Sequence, residues 1–183
     1  MLILDVPWST YVILRDSLDE QRSKLRLTYC EGALELMSPS DDHEESKKLL
    51  ARLVEAYGDE LDLDLMGRGS TTFRKEAKKR GLEPDECYTL GRKGELPDLA
   101  IEVVYSRPKL DKLDVYRGLG VPEVWMWEDG RLRVFVLADD RYDERAKSAL
   151  FPELDLALFA SFVRLDESQA KLVKAFRAAV RRG

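Results

Sequence analysis

Glu102 stands inside the run LAIEVV (99–104), an ionisable side chain with apolar residues on both sides. An unpaired carboxylate buried there would cost several kcal/mol or be forced to take up a proton. The rest of the chain has to supply a partner. Asp85, in EPDECYTL (83–90), has a similar setting, with Pro84 fixing the approach to an alternating stretch. Alternate side chains of a strand share a face, so Asp98, Ala100, Glu102 and Val104 point one way, and Asp85 goes with Cys87 and Thr89. If the two strands are neighbours, Asp85 and Glu102 converge. Two carboxylates with positions left for water suit one hard cation, Mg²⁺ or Mn²⁺. Lys109 and Lys112 follow, three residues apart, and add positive charge nearby. A lysine beside a metal-activated water can orient it and balance charge on a phosphoryl transition state. Two acids, a lysine and a metal form a minimal site for phosphodiester hydrolysis.

Each of these residues also has a plainer reading. Glu102 can be one member of a structural ion pair with Lys109, Lys112 or an arginine. Asp85 alone reads as a turn residue after Pro84. Asp98, after Pro97, can simply start its strand and is a secondary candidate. The two lysines alone read as a solvated helix face.

The elements that must position these groups are legible as patterns. Residues 7–20 predict a helix, and 25–36 a hairpin interrupted at Glu31-Gly32. Ser38 to Asp42 is turn and cap chemistry, followed by the strongest helix, 43–61, with Leu49, Leu50, Leu53, Val54, Tyr57 and Leu61 on one face. His43 falls near that face in the first turn and Glu44 points away. One strand is expected over 66–73, then a charged loop from Arg74 that could sit at a sheet edge, then strands at 85–90 and 98–105. Ser106-Arg107-Pro108 opens a helix carrying Leu110, Leu113, Tyr116 and Leu119 inward, which Gly118 and Gly120 end. A hairpin over 124–137 and a helix from about Asp166 to Arg182, with Asp166 and Gln169 as a capping box, complete the chain. Strands clustered between helices predict an α/β or α+β fold, one layered domain over residues 1–183. Strand 98–105, the helix and strand 122–127 form an expected crossover with parallel strands.

Composition bounds the partners. Of the 183 residues 36% are charged, for a net charge of -5, which argues against a non-specific polyanion binder and leaves room for a basic cleft on an acidic body. The cluster Arg74, Lys75, Lys78, Lys79 and Arg80 suits a nucleic-acid backbone, while the interspersed Glu76 and Glu83 make a plain soluble loop equally fitting. Cys30 and Cys87, with no CxxC spacing, read as two thiols in a reducing compartment. No apolar run reaches membrane-spanning length and no signal-peptide pattern opens the chain, so the expectation is a cytoplasmic protein without a membrane partner. Trp125 and Trp127 read as core or subunit interface.

The segments CEGALELMSPSDDHE (30–44), EPDECY (83–88), LPDLAIEVVYS (96–106) and KLDVYRGLGVPEVWMW (112–127), in this order and spacing, resemble the bacterial Uma-two type of restriction-endonuclease-like proteins, a branch of the PD-(D/E)XK nuclease superfamily. The resemblance runs from about Tyr11 to Leu137. It implies a restriction-endonuclease-like mixed central sheet flanked by helices, with a metal between Asp85 and Glu102 and the Val103 carbonyl as a further ligand. One departure stands out: the lysine that the superfamily places two residues after Glu102 is Val104 here. The resemblance implies that the following helix supplies it instead, as Lys112, four residues before Tyr116; Lys109 is the less fitting substitute. It also places the Glu31 hairpin near the site, although turn chemistry explains Glu31 alone. His43 is then a cap, a structural hydrogen-bonding group or a phosphate contact. Glu45 either supports the metal through water or complements the helix dipole. The implied activity is Mg²⁺-dependent endonucleolytic hydrolysis of DNA. The alternative is a non-catalytic nucleic-acid-binding or assembly module that keeps the nuclease fold, favoured by the displaced lysine and the acidic charge. Cutting both strands of a duplex often uses two sites, which makes a homodimer the expected assembly.

Overall fold

The computed structural model describes residues 1–21, 24–91, 94–105 and 108–182. In chain order its elements are β1 (Leu2–Ile3), α1 (Trp8–Glu20), β2 (Arg26–Cys30), β3 (Ala33–Met37), α2 (Asp41–Glu60), β4 (Leu65–Gly67), β5 (Phe73–Lys75), β6 (Arg80–Leu82), β7 (Glu86–Leu90), β8 (Leu99–Val104), α3 (Lys112–Leu119), β9 (Glu123–Glu128), β10 (Arg131–Ala138), β11 (Arg141–Arg145), α4 (Leu156–Ser161) and α5 (Gln169–Val180).

β8 lies inside a six-stranded sheet ordered β11-β10-β9-β8-β7-β4. It runs parallel to β9 and antiparallel to β7, so the sheet is mixed, and the expected parallel pair is present. Its alternation separates two layers. Leu99, Ile101 and Val103 pack with Leu49, Leu53, Trp125 and Phe176 in one apolar cluster, which gathers α2 and α5. Ala100 packs on the other face with Cys87, Val124 and the α3 residues Val115, Tyr116 and Leu119. The fold is therefore mixed α+β, a central mixed sheet between helices.

A second sheet, ordered β1-β3-β2-β6-β5, stands beside it. The expected hairpin over 25–36 forms two of its strands, and α1 lies on it through Tyr11, which stacks on Tyr29 with ring centroids 4.8 Å apart. This sheet explains the first correction. The single strand expected over 66–73 is divided: β4 belongs to the central sheet and β5 to the second one. Gly69, at φ +56, adopts a left-handed turn between them. The charged stretch from Arg74 is the β5–β6 hairpin, with β5 at the sheet edge.

The crossover helix also differs from expectation. Ser106 and Arg107, expected to open it, lie outside the described residues, and α3 begins only at Lys112. Asp111 caps it, its carboxylate accepting from the Leu113 N–H at 2.9 Å, so Lys109 and Leu110 precede the helix. Gly120, at φ +90, ends it, whereas Gly118 lies within it. At the C-terminal helix the cap is Ser168, accepting from the Lys171 N–H at 3.4 Å, rather than Asp166. β11 and the six-residue α4 were not anticipated: RYDER is too charged to read as a strand, and α4 is too short for periodicity to show. Trp125 and Trp127 are buried in the chain's own core and unavailable as an interface. Cys30 and Cys87 are free thiols. Among the described residues no helix is long and apolar enough to cross a membrane.

Candidate active site

β7 and β8 pair with Glu86 opposite Ile101, which places Asp85 and Glu102 opposite each other one step further along. Asp85 is buried, and its Oδ2 accepts from the Val103 N–H at 2.8 Å. The same oxygen lies 3.1 Å from Nε2 of His43, which the first turn of α2 carries inward. That turn is set by Ser40, whose hydroxyl accepts from the His43 backbone N–H at 3.3 Å. Glu102 is fully buried on the α3 side of its strand. Its Oε2 accepts from Lys112 Nζ at 2.6 Å, and the Tyr116 hydroxyl donates to Oε1. Lys112 and Tyr116 lie four residues apart, so one helix face delivers both. The question raised by the strand is answered here: the buried acid is paired with the ammonium at the start of α3.

The Lys112 side chain is 11% exposed and borders a cleft of about 210 Å³. Asp85, Val103 and His43 also line it, facing Arg26, Glu35 and Glu83. Glu102 lies behind Lys112 and outside that lining.

Burial and neighbouring charge drive the two acids apart. Burial is the largest influence on Glu102, outweighing the Lys112 ammonium, and its carboxyl is pushed up to about 7. Burial would raise Asp85 too, but the His43 hydrogen bond, the Lys112 charge and the Val103 N–H together hold it down at about 2. Burial works against the charged forms of Lys112 and His43, yet both are raised, Lys112 by Glu102 and Asp85, His43 by Asp85 and Glu44.

Among the described residues no three His, Cys, Asp or Glu side chains gather as a ready metal cage. The donors available are sparse and all oxygen: the two carboxylates and the carbonyl of Val103, next to Glu102 on β8. That set fits Mg²⁺ or Mn²⁺, which take one or two carboxylates and keep several waters. Fitting it requires the Lys112 ammonium to share or release Glu102.

The family model "Uma2: Putative restriction endonuclease" matches residues 8–166. The chain belongs to the Uma2 family. A crystal structure from Anabaena variabilis, described as "a putative nuclease belonging to DUF820", is similar at 13% identity, covering 82% of this chain and 90% of that one, with a TM-score of 0.44. No curated protein matches.

In this Uma2 chain, Asp85, Glu102, Val103, Lys112 and His43 meet in one place, and the other candidates do not join them. Lys109 is exposed, and only its backbone takes part, donating to Glu35 Oε1 at 2.9 Å. Glu45 is exposed on α2, and its carbonyl accepts from Gln169. Glu31 occupies the β2–β3 turn at φ +46 and pairs with Arg80 at 3.0 Å. Asp98 accepts from the Leu90 N–H at 2.8 Å, before β8 begins. Glu35, Glu83 and Arg26 line the cleft without having been read as site residues from the sequence. Glu35 accepts from the Lys109 and Leu110 N–H groups and so holds the approach to α3. Glu83 pairs with both Arg26 and Arg15. Glu35 sits between Leu34 and Leu36, where alternation marks it as a solvent-facing residue, and it is buried with the segment before α3 hydrogen-bonded to it.

Proposed function

We propose that this Uma2 member is a metal-dependent endonuclease that hydrolyses phosphodiester bonds, with DNA as its substrate. The observation that carries the reading is the meeting of two acids and one ammonium, Asp85 and Lys112 at the cleft and Glu102 directly behind Lys112. Asp85, Glu102 and the Val103 carbonyl would hold Mg²⁺ or Mn²⁺, which supplies a water of lowered pKa and polarises the phosphate. Asp85 is held well below the usual carboxylate range and is the readier ligand, while a bound cation would have to draw the proton from Glu102. Lys112 keeps its proton and borders the cleft, placed to orient the nucleophile or to balance the charge that develops on phosphorus-bound oxygens. Tyr116 fixes the second oxygen of Glu102 and is a positioning residue, and His43, 3.1 Å from the Asp85 oxygen that also accepts from Val103, is the charge partner of that carboxylate.

Plasmid and oligonucleotide cleavage with Mg²⁺ or Mn²⁺ tests this directly. Asp85→Ala and Glu102→Ala should each lose cleavage by at least about 100-fold, and chelator should abolish it. Cleavage that survives both substitutions sinks the assignment. One observation favours a second reading, a binding module that retains the fold: both oxygens of Glu102 are already engaged, by Lys112 and Tyr116. Calorimetric titration with Mn²⁺ separates the two. Heat that disappears in Asp85→Ala supports the nuclease, and nucleic-acid binding with neither metal heat nor cleavage supports the module.

A further inference from the structure

The end of β8 divides two clefts. One holds Asp85 and Lys112; the other, of about 290 Å³, is lined by Ser46, Tyr105, Trp127, Val163, Arg164 and Leu165. Val104 and Tyr105 line both, so a polymer leaving the first cleft in this direction passes the tyrosine ring to reach the second. Tyr105 is 53% exposed. It is nonetheless fixed, because its hydroxyl and the buried Ser46 Oγ are hydrogen-bonded at 2.9 Å. Its ring lies 6.5 Å from that of His43, between centroids, which ties it to the site of Asp85.

The chemistry of the second cleft differs from that of the first. Its lining sets Tyr105, Trp127, Val163 and Leu165, the last 39% exposed, beside the polar Ser46, Asp129 and Arg164. Among the described residues that line it, Arg164 is the cation and is already paired, with Asp166 at 3.5 Å and Glu167 at 3.1 Å. Asp129 adds a further negative charge to the lining. A phosphate is therefore a poor occupant. A flat, uncharged heterocycle with hydrogen-bonding edges suits a held aromatic ring that has both aliphatic and polar side chains beside it.

We propose that this second cleft is a nucleobase subsite, in which Tyr105 stacks on the base of a nucleotide next to the scissile phosphate. The inference rests on the nuclease reading of Asp85, Glu102 and Lys112 and deepens it. A base seated there is out of its own stack, so the substrate is single-stranded or locally opened nucleic acid. Every base has a stacking face, so this subsite confers preference for strand state rather than for sequence.

The test compares a fluorescent single-stranded oligonucleotide with a hairpin duplex of the same sequence, by anisotropy in chelator, alongside cleavage in Mn²⁺. The single strand should bind more tightly. Tyr105→Ala should weaken single-strand binding on the order of tenfold, and Tyr105→Phe, which keeps the ring, should recover most of the loss. Leu165→Gln, which leaves the tyrosine and its Ser46 contact in place, should weaken it in the same direction and guards against a folding defect in Tyr105→Ala. An abasic site moved along the oligonucleotide should weaken wild type at one position and add nothing in Tyr105→Ala. A flat abasic scan, or equal losses for single strand and duplex, overturns the subsite; Asp85-dependent cleavage in the same samples then leaves the nuclease reading standing. Wild-type protein that neither binds nor cuts nucleic acid overturns both.

Discussion

Two buried glutamates on the neighbouring strands β8 and β9 show how much a residue's partners decide. Glu123 accepts from Ser148 Oγ at 2.6 Å and from the Ala149 and Leu150 N–H groups, which hold one loop over the strand, and from Trp125 Nε1 on its own strand, all of them neutral donors. Glu102 is held by an ammonium that borders a cleft. The first arrangement is structural and the second has the parts of a reactive site. Glu123→Ala strands several buried donors and should cost about 3 kcal/mol in denaturant unfolding, with the cleavage of the folded protein intact. Lys112→Met instead leaves Glu102 buried without its counter-ion. In chelator it should destabilise by about 3 kcal/mol, and adding Glu102→Gln should return much of that loss, a coupling that a double-mutant cycle measures. Additive losses would show that the pair contributes nothing. At this scale the sequence was legible where a charge broke an apolar run, as at Glu102. It was silent at Glu35 and Glu83, whose burial comes from contacts between distant segments.

Elements position these residues through a few close approaches. On β6, a side chain added at Gly81 would run into the ring and hydroxyl of Tyr11, the buried anchor of α1. Gly81→Ala should therefore push α1 off the second sheet and destabilise by about 1–3 kcal/mol in thermal or denaturant unfolding. The far end of α5 is fastened to α2 in another way. Glu60 accepts from Arg177 Nη1 at 2.9 Å and from Arg181 Nε at 2.5 Å. These hydrogen bonds lower its carboxyl from 4.5 to about 2. A depressed carboxylate contributes stability above its ordinary value and loses it as pH falls through the folded one. Amide exchange in the last turns of α5 should thus accelerate several-fold between pH 4.5 and 2, after correction for intrinsic rates, and Glu60→Gln should show that fast exchange already at pH 7. A helix end whose protection ignores both changes would be held by its apolar face alone. The long helices and the parallel β8–β9 pair were legible because their periodicity is local. The start of α3 was not: Leu110 continues the helical spacing, and the backbone bonds to Glu35 that keep 109–110 out of the helix join residues more than seventy positions apart.

Charge is the property of the whole molecule that the sequence states most openly, and it bears on how nucleic acid is admitted. A net charge of -5 repels a polyanion at long range, and the cleft does little to reverse it. Arg26 and Arg15 are committed to Glu83, and Lys112 to Glu102, while Asp85 has the partly protonated His43 beside it and Glu35 is met by backbone N–H groups. A phosphate approaching the metal-free site therefore meets carboxylate charge that is not fully balanced. Its affinity should rise when that charge is removed. Asp85→Asn should bind single-stranded oligonucleotide about tenfold more tightly than wild type in chelator, the size of one like-charge contact at a few ångströms in a partly solvated cleft. With Mg²⁺ added the order should reverse, because wild type gains a bridging cation and the variant does not. With the described cleft cations Arg26 and Lys112 already paired, the dependence of log affinity on log salt should be shallow, a slope of about -1 to -2. Anisotropy across a salt series with and without Mg²⁺ reads all three quantities. Weaker binding by Asp85→Asn in chelator would mean that the carboxylate organises the phosphate site by itself, and the metal would then have no part in admitting the substrate.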